Sequence, residues 1–561
     1  MSPVLRMLIG LGICGLMGAV EAQQAPAPPA SPLGLFPAET GLVLRLATPD
    51  RTLEKVAAFA DAVQPGTGQF LNGMEEQLGQ LISNPGLTGV DVTRDWYVAV
   101  VLAAQGQPVP VFAIPATDAA AIVDTVKDVM NTSVQGDWVL YTEKPALVPA
   151  VTGESLLTVI DGKSRELLEQ TDLAAVVNIA HLRTIYADQL EQARDQVSAG
   201  LNQLQFNAPS GMDLTGLISV YSDLATYAFQ GVDDARLLTL SVSVSPQGVR
   251  LEDYLVAAPE TATAKFFNSN TPEEMPWLEK LPRNQQAYFG MTGAGGMMQW
   301  GLKLSSQMSP QARSPEFGKL LEQLDQFKLG AAGGCFTFGP DGVSGANVMF
   351  GELNDQFKAT MRGIQSQVGT IENAGTKQTM KLETDAEQLG DLKVDILTVQ
   401  QEFTNADLDP LGIQQSLQEK LLGGKDGIQT RMVYEPHRTV SVSGSLALLE
   451  RTIKGLDADR TNGLEKHRGN LPRSANALGY VNLPVLYGEM LKLFSAVEGF
   501  PLQLDPTTID NLNLGQSYVG AAVVAEENAG RIVIEIPIDQ IQGLAKLGAA
   551  VALTFQQAGG F

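Results

Sequence analysis

Two stretches of this chain open alike. LPRNQQAYFG at 281–290 and LPRSANALGY at 471–480 both begin Leu-Pro-Arg and continue through small or polar residues to an aromatic. A fainter relative, FPAETGLVLR, stands at 36–45. In each, a proline follows a bulky apolar residue, a strand-like run comes next, and helical spacing follows. This recurrence constrains the fold more than any other feature. A chain that keeps returning to strand, amphipathic helix and antiparallel hairpin has to seal apolar sheet faces with its own helices.

The helical segments carry recognisable starts. After the first copy, Thr48 can cap and Pro49 can take the first helical position, with Leu53, Val56, Ala60 and Val63 on one face. After the third, Leu483, Leu486, Met490 and Phe494 are spaced alike, and VNIAHL at 177–182 is echoed by VNLPVL at 481–486. Hairpins are expected at 96–115, 237–257, 335–350 and 518–537, each with a turn signal between β-rich runs. DWVLYTE with SLLTVIDG, and TRMVYE with RTVSVSGS, read as extra strands; KSRELLEQ and LALLERTIKGL read as the helices that follow. Within LLTLSVSVSP, Leu238, Leu240, Val242 and Val244 are expected to face a core, and Thr239, Ser241, Ser243 and Ser245 the solvent. The fold class is α+β: divergent repeats of strand, helix and antiparallel hairpin, forming curved antiparallel sheets backed by helices. Roughly four units begin near residues 36, 177, 281 and 471.

A chain of 561 residues is too long for one core. The polar, Pro-punctuated stretch 259–277 is the expected linker between a first α+β domain at 35–258 and a second at 278–561. Ahead of them, residues 1–22 read as a signal peptide, with Arg6, an apolar run from Met7 to Val20, and cleavage after Ala22. A retained anchor and lipidation at Cys14 are the alternatives, though Ile13 is a poor residue before a lipidated cysteine. Residues 23–34 form a Pro/Ala-rich spacer. No transmembrane helix is expected after signal cleavage. The product is expected to be exported: periplasmic, envelope-associated or secreted.

Charge narrows the partners. The chain has 62 Asp and Glu against 38 Lys and Arg, a net charge of −24, so nucleic acid is excluded as an expected partner. The partner is left as an unknown protein or apolar ligand. Catalytic signatures are missing. His181, His437 and His467 lie too far apart in sequence for a helix-borne zinc pair. Ser344 is not in a nucleophile elbow, GGKDG at 423–427 is not a phosphate loop, and GAGGMM at 293–298 lacks the third glycine of a dinucleotide loop. Asp457, Asp459 and Thr461 alternate as calcium ligands do, but the glycine falls late and Arg468 stands where an acid belongs. NADLD at 405–409 fails similarly. Cys335 reads as a buried, inert thiol, and the Met-rich 296–308 as helix core. No catalytic, cofactor-binding or metal-binding residue is assigned, and no cofactor is expected.

The leader, the spacer, LFPAETGLVLRL at 35–46, the Leu-Pro repeats and the hairpin–helix units together resemble a family of exported bacterial proteins of the planctomycete type, known only as a domain of unknown function. The likeness covers most of the mature chain and marks architecture, so it transfers no site residue. The expected function is non-enzymatic binding or scaffolding in the cell envelope. Carriage of a lipid or other apolar ligand between sheet and helices is one alternative, and a hydrolase with scattered acidic residues is another.

Overall fold

The computed structural model describes residues 31–71, 73–102, 107–206, 215–293, 315–324, 326–339, 342–367, 369–373, 376–403, 413–421, 426–459, 461–497 and 504–557. The leader, most of the spacer, the Met-rich 296–308, NADLD, and most of GAGGMM and GGKDG lie outside them. The chain divides into two compact units. Unit 1 draws on Met1–Ala193, Phe229–Ser269 and Glu526–Gln542; unit 2 draws on Arg194–Ala228, Asn270–Ala525 and Gly543–Phe561.

Unit 1 is built on β1 (Thr40–Leu46), β2 (Trp96–Val101), β3 (Val109–Pro115), β4 (Met130–Gln135), β5 (Trp138–Glu143), β6 (Leu173–Asn178), β7 (Ala235–Ser245) and β8 (Gly248–Ala257). They pair antiparallel in the order β4-β5-β3-β2-β1-β6-β7-β8, and Ala529–Pro537 adds a further antiparallel strand beside β8. That last pairing needs a glycine: a Cβ on Gly248 would stand 2.2 Å from the Ile536 carbonyl oxygen. Helices α1 (Pro49–Val63), α2 (Met74–Leu81), α3 (Ala119–Val126), α4 (Gly162–Gln170) and α5 (Ile179–Ile185) connect the strands.

Both faces of this sheet carry a core. On one, Val43, Tyr97, Ala113, Leu140 and Val176 pack with Leu156, Leu167 and Leu168. On the other, Leu44, Val98, Phe112, Ile114 and Tyr141 pack with Ile82, Ile122 and Val126. The expected single apolar face is therefore corrected in β7. Thr239 and Ser241 are buried, whereas Leu240 is 40% exposed. Register explains the reversal. Thr239 and Ser241 pair with Val176 and Ala174, which belong to the core of Leu156, Leu167 and Leu168, while Leu240 pairs with Ala175, which packs against the other core. Ser241 Oγ satisfies itself by donating to the Glu252 carbonyl at 3.1 Å.

SLLTVIDG is a second correction. It is not a strand: Leu156–Val159 is a helical turn, Leu156 is buried, and its N–H donates to the Phe36 carbonyl. The partner of β5 is instead the polar MNTSVQ of β4, an edge strand whose outer side gains nothing from apolar residues. Thr48 also departs from its expected role. Pro49 does open α1, but the Thr48 side chain makes no cap and bonds Asp95 instead.

Unit 2 contains a two-residue ribbon, β9 (Glu273–Glu274) with β18 (Ser474–Ala475). Its sheet comprises β10 (Ala287–Thr292), β11 (Leu329–Gly339), β12 (Gly342–Gly351), β13 (Thr370–Asn373), β14 (Thr376–Leu389), β15 (Leu392–Phe403), β16 (Ile428–Glu435), β17 (Arg438–Ser443), β19 (Ala477–Val481) and β20 (Val519–Glu526). The order is β20-β19-β10-β11-β12-β17-β16-β15-β14-β13, all antiparallel. Three helices matter here: α6 (Asp355–Gln367), α7 (Leu446–Asp457) and α8 (Leu483–Ser495). The two Leu-Pro-Arg stretches lead into β10 and β19, which are neighbours in this sheet, and Leu281 and Leu471 are both buried. The echo at 177 and 481 is a capping device. Asn178 accepts from the His181 N–H and Asn482 from the Val485 N–H, each opening a helix.

Candidate functional site: a cation-lined groove in unit 2

At the end of β17 the chain turns at Gly444, whose φ is +144°. Ser445 then caps α7, its hydroxyl accepting from the Leu448 N–H at 3.3 Å. Leu449, Thr452 and Leu456 are buried, which fixes the helix's rotation. Leu448, Arg451, Lys454, Gly455 and Ala458 are thereby left to line a groove of about 840 Å³. At 1.5 Å per residue, Leu448 to Ala458 spans about 15 Å.

The facing wall is the Leu-Pro-Arg stretch itself, residues 281–285, with Lys280 before it. Buried Leu281 anchors this wall, and Asn284 turns it with φ +60°. Below it, buried Gln286 clamps the chain to β11: its side chain donates to the Phe338 carbonyl at 2.6 Å and accepts from the Phe338 N–H at 2.9 Å. Tyr288 and Tyr518 hydroxyls donate to the Pro282 and Gln285 carbonyls at 2.8 and 2.9 Å. Asn462 ties the remaining end by donating to the Leu278 and Leu281 carbonyls. Ser344, Ser445 and Thr461 add hydroxyl groups to the lining.

The electrostatics run against the rest of the chain. Four cationic residues line the groove, Lys280, Arg283, Arg451 and Lys454, and among the described lining residues there is no carboxylate. Lys454 pairs with Glu450 of its own helix at 2.5 Å. Among the described residues Arg283 donates to the Thr461 carbonyl, at 2.7 Å, and Arg451 to the Ala447 carbonyl, at 3.4 Å. Two nearby acids are held elsewhere, Asp457 by Arg438 at 2.7 Å and Glu279 by Arg468 at 3.7 Å, while Asp459, between the lining residues Ala458 and Thr461, is exposed. Burial pushes the Glu279 carboxyl up despite Arg468. Such an arrangement can neutralise and orient an anion. A smaller pocket of about 260 Å³ shares Asn284 and Asn462 with the groove and is lined by Tyr288, His467 and Tyr518. The His467 and Tyr518 rings stand 5.1 Å apart, edge to face.

The residues weighed in the sequence find structural roles. Asp457 bonds Arg438 and the Thr461 carbonyl accepts from Arg283, so the near-calcium loop faces arginines. His181 meets the Leu102 carbonyl through Nε2 at 3.0 Å, and the backbone carbonyl of His437 accepts from Gly351. Among the described residues no group of three His, Cys, Asp or Glu could hold a metal ion, and no helix is long and apolar enough to cross a membrane. The buried carboxylates are each matched. Asp172 takes Lys55 Nζ and the Val244 N–H, Asp234 takes Thr263 and Gln230, Glu252 takes Arg250 and Arg531, and Asp395 takes Arg362. A gap between α1, α2 and β2, lined by Leu53, Leu78 and Trp96, holds only about 10 Å³, too little for a lipid chain.

Cys335 is 2% exposed, and burial pushes its thiol up to about 12. Near pH 8 it is expected to resist Ellman's reagent in the native protein and to react fully after denaturation. Rapid labelling of native protein would contradict this placement.

The groove's cations were not singled out in the sequence. They come from segments some 170 residues apart, positions 280–283 and 451–454, and nothing in either run announces the other. Arg283 lies in a Leu-Pro-Arg stretch, and Arg451 and Lys454 lie in the LALLERTIKGL helix, both read there for architecture alone.

No family model matches the chain, and no curated protein matches it. Among solved structures it is similar to crystal form IV of TP0453, with 10% identity and a TM-score of 0.23 over 50% of this chain and 98% of that one. Crystal form I of TP0453 gives 12% identity and a TM-score of 0.22 over 48% and 96%.

Proposed function

We propose that this chain is an exported, non-enzymatic binding protein of the cell envelope, of the planctomycete type described above, and that the unit 2 groove is its recognition surface. The observation that carries the reading is the concentration of four cations without a lining carboxylate in a chain of net charge −24. A solvated acidic protein gains nothing from holding unneutralised arginines together, and an anionic ligand supplies what they lack. The matched buried carboxylates favour binding over hydrolysis, since each already has a structural partner.

The architecture is read as a divergent duplication, twofold at the level of strand order. In its support, β4-β5-β3-β2-β1-β6-β7 in unit 1 and β16-β17-β12-β11-β10-β19-β20 in unit 2 follow one scheme, with β13, β14 and β15 as additions. In this scheme α4 corresponds to α7. The cations of α4 pair with Glu166 and Glu169, whereas on α7 Lys454 pairs with Glu450 and Arg451 has no carboxylate partner among the described residues.

Dextran sulfate, a generic polyanion, is expected to bind the purified protein and to lose at least tenfold in affinity in Arg451→Glu. Equal affinity in wild type and variant would remove the groove from the reading. N-terminal sequencing of the protein from fractionated cells tests export separately; an intact Met1 in the cytosolic fraction would refute it.

A further inference from the structure

We infer that the groove takes a ligand carrying more than one phosphate group, an inference that rests on the binding function proposed above. Carboxylate and phosphate make different demands. A planar carboxylate is satisfied by a single guanidinium fork, whereas a phosphate carries up to two charges and three acceptor oxygens that point in different directions. Here the donors arrive from separate walls. Arg451 comes from α7, Arg283 and Lys280 from the Leu-Pro-Arg segment opposite, and the Ser344 and Ser445 hydroxyls from the β12 and β17 ends of the sheet. Forked and point-charge donors are mixed, as phosphate recognition favours.

Size argues for more than one phosphate. A groove of about 840 Å³ is far larger than a single phosphate ion needs. Its cationic lining repeats along α7, with Arg451 and Lys454 one helical turn apart. The described lining contains no aromatic ring, so sugar stacking contributes nothing and charge dominates. The same chemistry serves a lipid phosphate headgroup and a soluble phosphate chain.

Calorimetry on the full chain distinguishes the possibilities. Inorganic tripolyphosphate is expected to bind at least tenfold more tightly near pH 7.5 than tetra-galacturonate, a carboxylate chain that carries the same charge of about −4. Affinity is expected to fall steeply with salt and to drop at least tenfold in Arg451→Glu. Arg451 is exposed and makes only one weak backbone contact, so this variant leaves the fold intact; circular dichroism checks it, and Arg451→Lys is expected to retain most of the binding. Equal or tighter binding of tetra-galacturonate would overturn the phosphate assignment while leaving the groove as a binding site. Tripolyphosphate affinity unchanged in Arg451→Glu would overturn both. Vesicles containing cardiolipin, a lipid with two phosphates, identify the source: Arg451-dependent binding assigns a lipid headgroup, and binding of tripolyphosphate alone assigns a soluble ligand.

Discussion

Tyr141→Ala is expected to lower the stability of unit 1 by about 3–5 kcal/mol. Tyr141 is fully buried, and its ring stacks on Phe112 with centroids 5.4 Å apart. Its hydroxyl donates to the Ile82 carbonyl at 2.9 Å, joining β5 to the end of α2. Truncation to alanine opens a cavity among Phe112, Ile122 and Val126 and strands the Ile82 acceptor. Tyr141→Phe separates the two losses: it keeps the ring and is expected to cost about 1–3 kcal/mol, the penalty of an unsatisfied buried carbonyl. Urea unfolding followed by the fluorescence of Trp96 and Trp138, both in unit 1, provides the measurement. A Tyr141→Ala midpoint equal to wild type would show that this core relaxes without loss.

Arg362→Ala is expected to cost unit 2 about 3 kcal/mol. Asp395 in β15 is completely buried and meets the Arg362 guanidinium through both oxygens, at 2.6 Å from Nε and 2.5 Å from one terminal nitrogen. The same guanidinium reaches Asp385 at 2.7 Å, and the Asp385 N–H donates to Asp395 at 2.9 Å. One arginine on α6 thus fastens the long β14–β15 hairpin beside the buried Val394 and Ile396 of β15. Its removal leaves a buried carboxylate without its cation. Arg362→Lys keeps the charge without the fork and is expected to fall between wild type and alanine. Hydrogen exchange in residues 380–400 reports the opening; unchanged protection in Arg362→Ala would sink the assignment.

A pH dependence follows from the same contacts. The Arg362 guanidinium beside Asp385, and Arg438 beside Asp457, hold those carboxyls below their ordinary value. Burial pushes the Asp234 carboxyl up, but bonds from Thr263 and Gln230 outweigh it, and its net displacement is also downward. A group whose folded pKa is depressed contributes stability above its unfolded pKa and loses it as pH falls through the folded value. Stability is therefore expected to hold at neutral pH and to fall below about pH 4, the ordinary carboxylate value. Thermal unfolding across pH 2–7 measures this; a midpoint that rises on acidification would contradict the sign.

Much of the fold was legible in the sequence because it is written in local patterns. The hairpins at 96–115 and 237–257 emerged as β2–β3 and β7–β8, since β-branched runs about a turn signal need no distant information. KSRELLEQ and LALLERTIKGL emerged as α4 and α7, and Asp161 and Ser445 cap them. What failed depended on neighbours. The strand β14 is polar and charge-rich, so apolar alternation marks it only weakly. MNTSVQ is a strand only because β5 lies beside it, and SLLTVIDG is not one because Leu156 is drawn into a core.

The sequence by itself determined the α+β class, several of the hairpins and helices, and the overall acidity, all properties of nearest neighbours or of sums. The tertiary structure alone decided which face of β7 is buried and which cations meet. Register is a long-range variable: a one-residue shift exchanges the two faces of a strand. Charge proximity is another, because Arg283 and Arg451 share a groove only after β10 and α7 have been placed against the same sheet.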